Sequence, residues 1–532
     1  MSETLGPSPE EMGVAPETVQ PEATPSSLDK ERYEQLKDAF NWFSYDYFSG
    51  EGKDEKQPDK LAPREEEQKK FIEDETKTYN PQLDYPKLVD DAQMNKVEAW
   101  GDRLREARDQ IRKANPAARK IMARGWEAQP EPDLQTVTDV AYLLKINEKI
   151  ADVELVMAAR AGDMKKFERM SALAYGEPSQ EIFNWTMDRM HGRVRALKSR
   201  YDDPEMHTFA DEFLELLPER KTTRTSEVFS LPNKEQFAVL REDMEKQFEL
   251  ALKMVERTNP KLIDLPPEER DVFLLSPEEQ RTTVQTLLDI GAGASFTAEF
   301  EKVNRGYYFT NQEERMIELP RKNLPYKRFR ELMLHEVLTH AYRRHTGQKS
   351  ELFLLGSGLK GFEQGEEAVA TFREAVSNKK ANLFWLPVDH TAIALARGLD
   401  GTRRDFREVH AILQKFFTLQ NYGLAKGKKN IAQAGTGTEN TAWNFCVRTF
   451  RGTDSKTKGV CLTKDIIYHE GRSKLYVALK KAGDRRVDFA RLFNIGKFDA
   501  GDSPGGRLAL GILSRIPAYD SELKKAGLKQ TT

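Results

Sequence analysis

The stretch Phe329-Arg330-Glu331-Leu332-Met333-Leu334-His335-Glu336-Val337-Leu338-Thr339-His340-Ala341-Tyr342 places two histidines and a glutamate inside an apolar run that favours a helix. In the H-E-x-x-H pattern, histidines four residues apart bind one Zn²⁺ and the adjacent glutamate activates water. Here His335 and His340 are five residues apart, which on a regular α-helix separates the side chains by about 140°. A π-bulge absorbs one residue and returns both histidines to one face. The sequence therefore predicts a distorted helix that binds a metal. The alternative is a pair of ordinary half-buried histidines beside a solvent-facing Glu336.

A zinc site needs a third protein ligand, and a candidate lies in the segment Gly361-Phe362-Glu363-Gln364-Gly365-Glu366-Glu367-Ala368-Val369-Ala370-Thr371-Phe372-Arg373. Its apolar residues recur at helical spacing, so we expect a second helix that starts near Glu366. Catalytic zinc sites often combine two helical histidines with a glutamate and leave the fourth position to water. Either Glu366 or Glu367 fits this role. The alternative is a charge pair in a first helical turn, where negative charge is favoured.

A third segment with candidate functional residues follows in two halves. The first half is Cys446-Val447-Arg448-Thr449-Phe450-Arg451-Gly452-Thr453-Asp454, and the second is Thr463-Lys464-Asp465-Ile466-Ile467-Tyr468-His469-Glu470-Gly471. Between them, Ser455-Lys456-Thr457-Lys458-Gly459 predicts a basic loop.

Taken in order, these three segments resemble the microtubule-associated tyrosine carboxypeptidases and their bacterial relatives, the flavohaemoglobin-expression-modulating QEGLA-motif proteins. The family's H-E-x-x-x-H, Q-E-G-L-A, R-x-x-R-G and K-D-x-x-Y-x-x-G motifs correspond to them, over about residues 295 to 480. The best register sets Glu366-Glu367-Ala368-Val369-Ala370 against Q-E-G-L-A, so the resemblance implies that His335, His340 and Glu367 bind Zn²⁺. A shift of one residue would give this role to Glu366. Glu366 also departs from the family's glutamine and adds a charge.

The resemblance implies a zinc-dependent peptidase, and specifically a metallocarboxypeptidase that removes a C-terminal residue such as Tyr or Glu. Glu336 would be the general base that takes the proton of the zinc-activated water and passes it to the leaving amine. A carboxypeptidase must also bind the terminal carboxylate, for which the planar guanidinium of arginine is suited. The candidates for this binding are Arg448, Arg451 and Lys464. Tyr468 or His469 would donate to the developing oxyanion. For each of these residues the alternative is a basic surface loop with a tyrosine packed against it.

The implied partner is the C-terminal tail of a peptide or protein. The mammalian members of the family act on the tyrosine or glutamate ends of tubulin tails. This sequence shows no microtubule-binding element, so the resemblance alone does not assign tubulin as the substrate. Two alternatives are an amino- or endopeptidase with the same zinc site and a non-catalytic helical interaction protein with structural zinc.

Two short strands are expected just before the histidine segment. Gly306–Thr310 and Arg315–Pro320 flank the turn-like residues 311–314, which predicts a hairpin, and Phe296–Val303 alternates weakly. An exposed edge strand beside the metal would let a substrate bind in extended form, although a purely structural sheet is the alternative.

Composition limits the remaining possibilities. The 532 residues are 38% hydrophobic and 32% charged, with a formal net charge of -3, which argues against a nucleic-acid binder. No run approaches the roughly eighteen apolar residues that would cross a membrane, and the first residues lack a secretory pattern. The two cysteines, Cys446 and Cys461, cannot form a disulfide framework. We therefore expect a cytoplasmic protein with reduced cysteines.

The predicted fold class is α+β and predominantly helical: a zincin-like catalytic domain with a small sheet beside the zinc helix, plus an N-terminal helical region. The expected division is a disordered arm at 1–28, a helical region at 29–265, a zinc metallopeptidase domain at 266–510 and a C-terminal tail at 511–532, of which 524–532 should fray. Helical periodicity predicts helices over Ala92–Ala114, Leu134–Arg160, Glu181–Tyr201, Lys234–Thr258, Lys474–Leu479 and Val487–Phe493. His345 is either a second-layer partner of the metal site or a residue that ends its helix.

Overall fold

The computed structural model describes residues 27–42, 48, 50, 61–219, 232–292, 296–301, 308–312, 314–377 and 386–528. Within these ranges the chain is predominantly helical with a small amount of sheet, which confirms the coarse fold class. The arm predicted at residues 1–28 lies almost entirely outside them. No described helix is long and apolar enough to cross a membrane.

The first part of the described chain is built from helices. The α-helices are Lys30–Asn41, Pro63–Ile72, Asp91–Ala114, Pro116–Arg124, Leu134–Ala161, Met164–Tyr175, Gln180–Arg200, Pro204–Leu216, Lys234–Gln247 and Glu249–Arg257, and the 3-10 turns are Tyr85–Leu88, Trp126–Ala128 and Pro260–Leu262. Three of the predicted helices agree with these bounds to within one residue. The fourth, Lys234–Thr258, is wrong as a continuous helix because the chain breaks at Phe248, whose buried ring packs edge-on against Tyr342.

The second part contains the remaining helices. The α-helices are Pro267–Val272, Pro277–Leu287, Tyr326–Leu332, Tyr342–Gln348, Leu354–Ser357, Phe362–Ser377, Val388–Arg397, Phe406–Leu424, Ile431–Gly435, Thr438–Phe450, Ile467–Ala482, Arg486–Arg491, Pro504–Leu513 and Asp520–Lys525. The π-helices are Leu288–Ala292 and Met333–Ala341, and the 3-10 turns are Lys464–Ile466, Gly483–Arg485, Leu492–Asn494 and Pro517–Tyr519. Lys474–Leu479 is thus part of a longer helix.

The described residues contain five short strands in two small sheets. They are β1 (Leu274–Leu275), β2 (Thr297–Phe300), β3 (Phe309–Asn311), β4 (Met316–Leu319) and β5 (Leu324–Pro325). β1 pairs antiparallel with β5, while β2, β4 and β3 form a three-stranded sheet in that order. The β3–β4 pair is antiparallel with Thr310 opposite Ile317, which confirms the predicted hairpin, although residues 302–307 lie outside the described ranges. β3 is an edge strand of this sheet.

One apolar core joins the two parts of the chain. Its largest cluster contains Val137 from the first part together with Met333 and Leu334, which directly precede His335. Leu523 near the end of the described chain belongs to the same cluster and is fully buried. The tail expected to fray from residue 524 is therefore packed as far as Ala526, which is 3% exposed, because Leu523 and Ala526 contribute apolar surface to this core.

Candidate metal centre

Three helices supply the side chains of the candidate metal centre: the histidine helix, the glutamate helix and the tyrosine helix. The histidine helix runs from Tyr326 to Gln348 and is a π-helix over Met333–Ala341. The glutamate helix is Phe362–Ser377, and the tyrosine helix is Ile467–Ala482. The glutamate helix packs against both of the others.

The π-helical segment of the histidine helix brings the two histidines together. In a π-helix, residues five apart are related by one hydrogen-bonded turn, so His335 and His340 share a face. Their ring centroids are 5.0 Å apart with an interplanar angle of 71°. The predicted distortion is present, but it extends over nine residues instead of a single bulge. Thr339 reinforces the widened turn by donating from Oγ1 to the carbonyl oxygen of Leu334, also five residues away, at 2.7 Å.

The glutamate helix begins earlier than the sequence predicted. It starts at Phe362 instead of near Glu366, so Glu366 and Glu367 lie in its second turn, and the alternative of a first-turn charge pair is wrong. The earlier start follows from Gly361, whose φ of +74° suits glycine and whose amide donates to Glu148 Oε1 at 2.7 Å. The hydrogen bond from this amide is accepted by a side chain of helix Leu134–Ala161. The glutamate helix can therefore start one turn before Glu366 without leaving this amide unpaired.

His335, His340 and Glu367 form a three-sided group of metal-ligating atoms. One ligand atom from each lies within 4.8 Å of the others, and each histidine Nε2 is 3.8 Å from an oxygen of Glu367. Tetrahedral zinc with ligands at 2.0 to 2.2 Å separates its ligand atoms by about 3.3 Å. The two 3.8 Å separations from Glu367 would therefore shorten by about half an ångström, and a pair at the 4.8 Å limit of the group would shorten by about 1.5 Å. Two nitrogens and one carboxylate oxygen are a donor set that zinc accepts, with a fourth position left open.

Glu366 faces a different environment from that of Glu367. Its carboxylate accepts from His340 Nδ1 at 3.0 Å and from the Arg343 guanidinium, and it pairs with Lys497 Nζ at 3.2 Å. Although burial opposes the charge, these cations hold the pKa of Glu366 well below its ordinary value. Glu366 thus contacts the Nδ1 side of the His340 ring, whereas Glu367 faces the Nε2 atoms of both histidines.

Glu374 has a similar position behind His335. Its Oε1 lies 2.8 Å from His335 Nδ1, although the N–H direction is not aligned with this oxygen. Arg328 Nη1 lies 3.7 Å from the other oxygen of Glu374. Burial opposes protonation of His335, but Glu374, Glu336 and Glu367 together raise the pKa of His335 to about 9.

Glu336 lies on the histidine helix next to the first histidine and is 7% exposed. The Thr310 hydroxyl donates to its Oε2. Thr310 belongs to the edge strand β3, so the sheet and the histidine helix meet at this carboxylate.

Tyr468 and His469 lie at the start of the tyrosine helix. Burial raises the pKa of Tyr468 well above its ordinary value, and the nearby charge of Glu367 raises it further, so its hydroxyl remains protonated beside the candidate ligand. Burial lowers the pKa of His469, as do the charges of Arg472, His390 and Arg448. His469 Nδ1 is 2.8 Å from Arg472 Nη2, which makes this ring nitrogen an acceptor and leaves the imidazole neutral.

The three basic candidates have different surroundings. Arg451 is 2% exposed and pairs with Asp465 at 3.2 Å, and Lys464 is 8% exposed and pairs with Glu363 at 3.0 Å. Arg448 keeps 38% of its side chain exposed while it pairs with Asp465 at 2.9 Å and Asp389 at 3.2 Å. Its guanidinium carbon lies 5.8 Å from the centroid of the Tyr468 ring. Of the three, Arg448 is therefore the one with exposed surface beside the centre.

Two other sequence expectations concern residues around the centre. His345 lies in the last turn of the histidine helix, in agreement with the helix-end interpretation. Cys446 and Cys461 are both free and buried, and burial raises the pKa of the Cys461 thiol to about 12.

The sequence reasoning missed four residues that contact the centre. They are Thr310, Arg343, Glu374 and Lys497. The seven-residue spacing of Glu374 from Glu367 is a usable signal because residues seven apart return to the same helical face. Thr310 and Lys497 carry no comparable signal, since they reach the site from distant parts of the chain.

Comparison with known proteins supports the resemblance that the motifs indicated. The family model described as microtubule-associated tyrosine carboxypeptidase matches residues 429–510 of this chain. This range includes Arg448, the basic loop, Tyr468 and Lys497. It ends at residue 510, within the helix Pro504–Leu513. Searches of curated proteins and of solved structures found no match.

Proposed function

From this family match and the geometry of the centre, we propose that the protein is a zinc-dependent carboxypeptidase with a zincin-like catalytic site. The observation that carries the proposal is the convergence of His335, His340 and Glu367, with Glu336 and Tyr468 at its edge. The family's description names a carboxypeptidase, so peptide hydrolysis at a C-terminus is the activity that it suggests.

Zinc bound by His335, His340 and Glu367 would polarise the scissile carbonyl and make water acidic enough to attack at neutral pH. The remaining chemistry belongs to the side chains. Glu336 takes the proton of the attacking water and returns it to the leaving amine. Thr310 holds one oxygen of this carboxylate by a hydrogen bond, which fixes its orientation and directs the other oxygen toward the proton.

Tyr468 is the better oxyanion donor of the two candidates. Its hydroxyl remains protonated because its pKa is raised, and it interacts electrostatically with Glu367. A protonated phenol beside the reacting carbonyl can donate to the negative charge that develops there. His469 is neutral and has one ring nitrogen occupied by Arg472, so we assign it to the supporting structure.

Arg448 is the proposed ligand of the substrate's terminal carboxylate. It is half-exposed and adjacent to Tyr468, whereas Arg451 and Lys464 are buried in ion pairs. The edge of β3 is the proposed place for the peptide backbone, because an extended chain can add to an exposed strand edge through main-chain hydrogen bonds. The family's name directs the choice of first substrates to peptides that end in tyrosine, including tubulin tails.

The first experiment measures bound metal. Mass spectrometry of zinc-supplied protein should give about one zinc per chain in the wild type and much less in His340→Ala. His345→Ala is the matched control, because His345 lies five residues further along the same helix and outside the group of ligands. Wild-type protein without bound zinc would overturn the proposal.

The second experiment measures cleavage of peptides that differ at the C-terminus. A peptide with a free carboxylate should lose its last residue, and the same peptide with a C-terminal amide should not. Glu336→Gln should keep its zinc and lose turnover. Equal cleavage of the amidated peptide would favour the amino- or endopeptidase alternative, and bound zinc with no cleavage of any peptide would favour a structural metal.

A further inference from the structure

We propose that Glu374 and Glu366 are positioning residues that orient His335 and His340 toward the metal. This inference rests on the proposed zinc site and adds to it a second layer of carboxylates that the motif did not include. The sequence motif offered Glu366 as a possible zinc ligand. Glu374 lies outside all of the family's motifs.

The first argument is that each histidine has a glutamate oxygen close to its Nδ1, although only the His340 contact is an aligned hydrogen bond. His335 has its Nδ1 2.8 Å from Glu374 Oε1, and His340 has its Nδ1 3.0 Å from Glu366 Oε1. A carboxylate beside Nδ1 favours the tautomer with the proton on that nitrogen. The lone pair then lies on Nε2, and both Nε2 atoms are 3.8 Å from the shared Glu367.

The second argument is that one helix supplies all three carboxylates. Glu366, Glu367 and Glu374 belong to the glutamate helix, and at about 100° per residue Glu374 returns to within about 20° of Glu367. The direct ligand and both orienting groups therefore move as one rigid element. A displacement of this helix would change all three contacts together.

The third argument is the difference between the charges behind the two carboxylates. Glu366 is backed by Arg343 and Lys497, which are 0% and 2% exposed. Glu374 is backed by Arg328, whose side chain is 48% exposed. Removing the charge of Glu366 would leave two buried cations without this carboxylate, which lowers the unfolding free energy. The cation beside Glu374, in contrast, is accessible to water. Glu374 is thus the residue at which orientation can be tested without loss of the fold.

The test is the zinc dissociation constant of the full-length protein, measured by competition with a chromophoric chelator. Removal of an outer carboxylate typically weakens metal binding about 10- to 100-fold. We expect a loss in this range for Glu374→Ala and a smaller loss for Glu374→Gln, because the amide keeps an oxygen that can lie beside Nδ1. Glu331→Gln is the matched control: Glu331 pairs with the same Arg328 at 2.9 Å, so it should leave zinc affinity unchanged.

A second measurement separates orientation from a general effect on folding. The absorption spectrum of the cobalt-substituted protein reports ligand geometry directly, and it should change in Glu374→Ala but not in Glu331→Gln. Thermal unfolding of the metal-free proteins should give similar midpoints for the two variants.

The possible results distinguish this inference from the proposed function. Wild-type affinity and an unaltered cobalt spectrum in Glu374→Ala would overturn the inference and leave the zinc site intact. Absence of zinc from the wild type would overturn the proposed function itself. A loss of affinity in Glu331→Gln equal to that in Glu374→Ala would also overturn the inference, because it would assign the effect to Arg328.

Discussion

Replacing Gly471 by alanine should separate the tyrosine helix from the glutamate helix. A Cβ at this position would lie 2.2 Å from the backbone oxygen of Gln364, whereas ordinary contacts begin at 3.4 Å. The two helices would therefore have to move apart by about 1.2 Å, since a backbone oxygen cannot rotate away. Overpacking of this kind costs about 1–3 kcal/mol of unfolding free energy.

The same displacement should reduce catalysis. Tyr468 lies one helical turn before Gly471, and Glu367 lies one turn after Gln364, so the proposed oxyanion donor and the proposed ligand would separate. A misplacement of about 1 Å can cost about 100-fold in rate. We expect Gly471→Ala to bind zinc and to lose kcat by up to this factor.

The assay combines urea unfolding with peptide cleavage at saturating substrate. Gly192→Ala is the matched control, because Gly192 lies within helix Gln180–Arg200 and a Cβ there would meet nothing within 4 Å. That substitution should be neutral or stabilise by about 0.5–1 kcal/mol. Wild-type stability and kcat in Gly471→Ala would refute the argument from close helix packing.

Three further predictions concern charge, pH and metal. Glu366→Gln should lower the unfolding free energy by about 3–5 kcal/mol because it leaves Arg343 and Lys497 buried without this carboxylate, and wild-type stability in urea would contradict this. Burial lowers the pKa of His410 to about 4. Because the unfolded state then takes up the proton first, stability should fall by about 3 kcal/mol between about pH 6.5 and pH 4. His410→Gln should remove that part of the slope in urea titrations at each pH, and an unchanged slope would assign it to other groups. Chelation of zinc should lower the calorimetric Tm, and free zinc at about a thousand times its dissociation constant should restore about 4 kcal/mol of unfolding free energy. A Tm that does not change with zinc would contradict metal binding to the folded state.

Periodicity predicted the long helices well, because a helix that buries one apolar face repeats its pattern in the sequence. Asp91–Ala114 and Leu134–Ala161 were expected to within one residue at either end. It failed at Phe248, where burial of one ring interrupts an otherwise continuous pattern. The fraying expected from residue 524 onward is wrong as far as Ala526, because Leu523 and Ala526 pack on residues that are distant in sequence.

The sequence by itself determined the two histidines and the distortion that joins them, since a five-residue spacing can share one metal only in a widened helix. It also predicted that a glutamate of a following helix, Glu366 or Glu367, would join this group. The tertiary structure decided which glutamate. The start of that helix at Phe362 sets its rotation, and the buried cations Arg343 and Lys497 attract Glu366, so that Glu367 faces the histidines. Those cations belong to other elements, and their electrostatic effect depends on distances in space that no local pattern encodes.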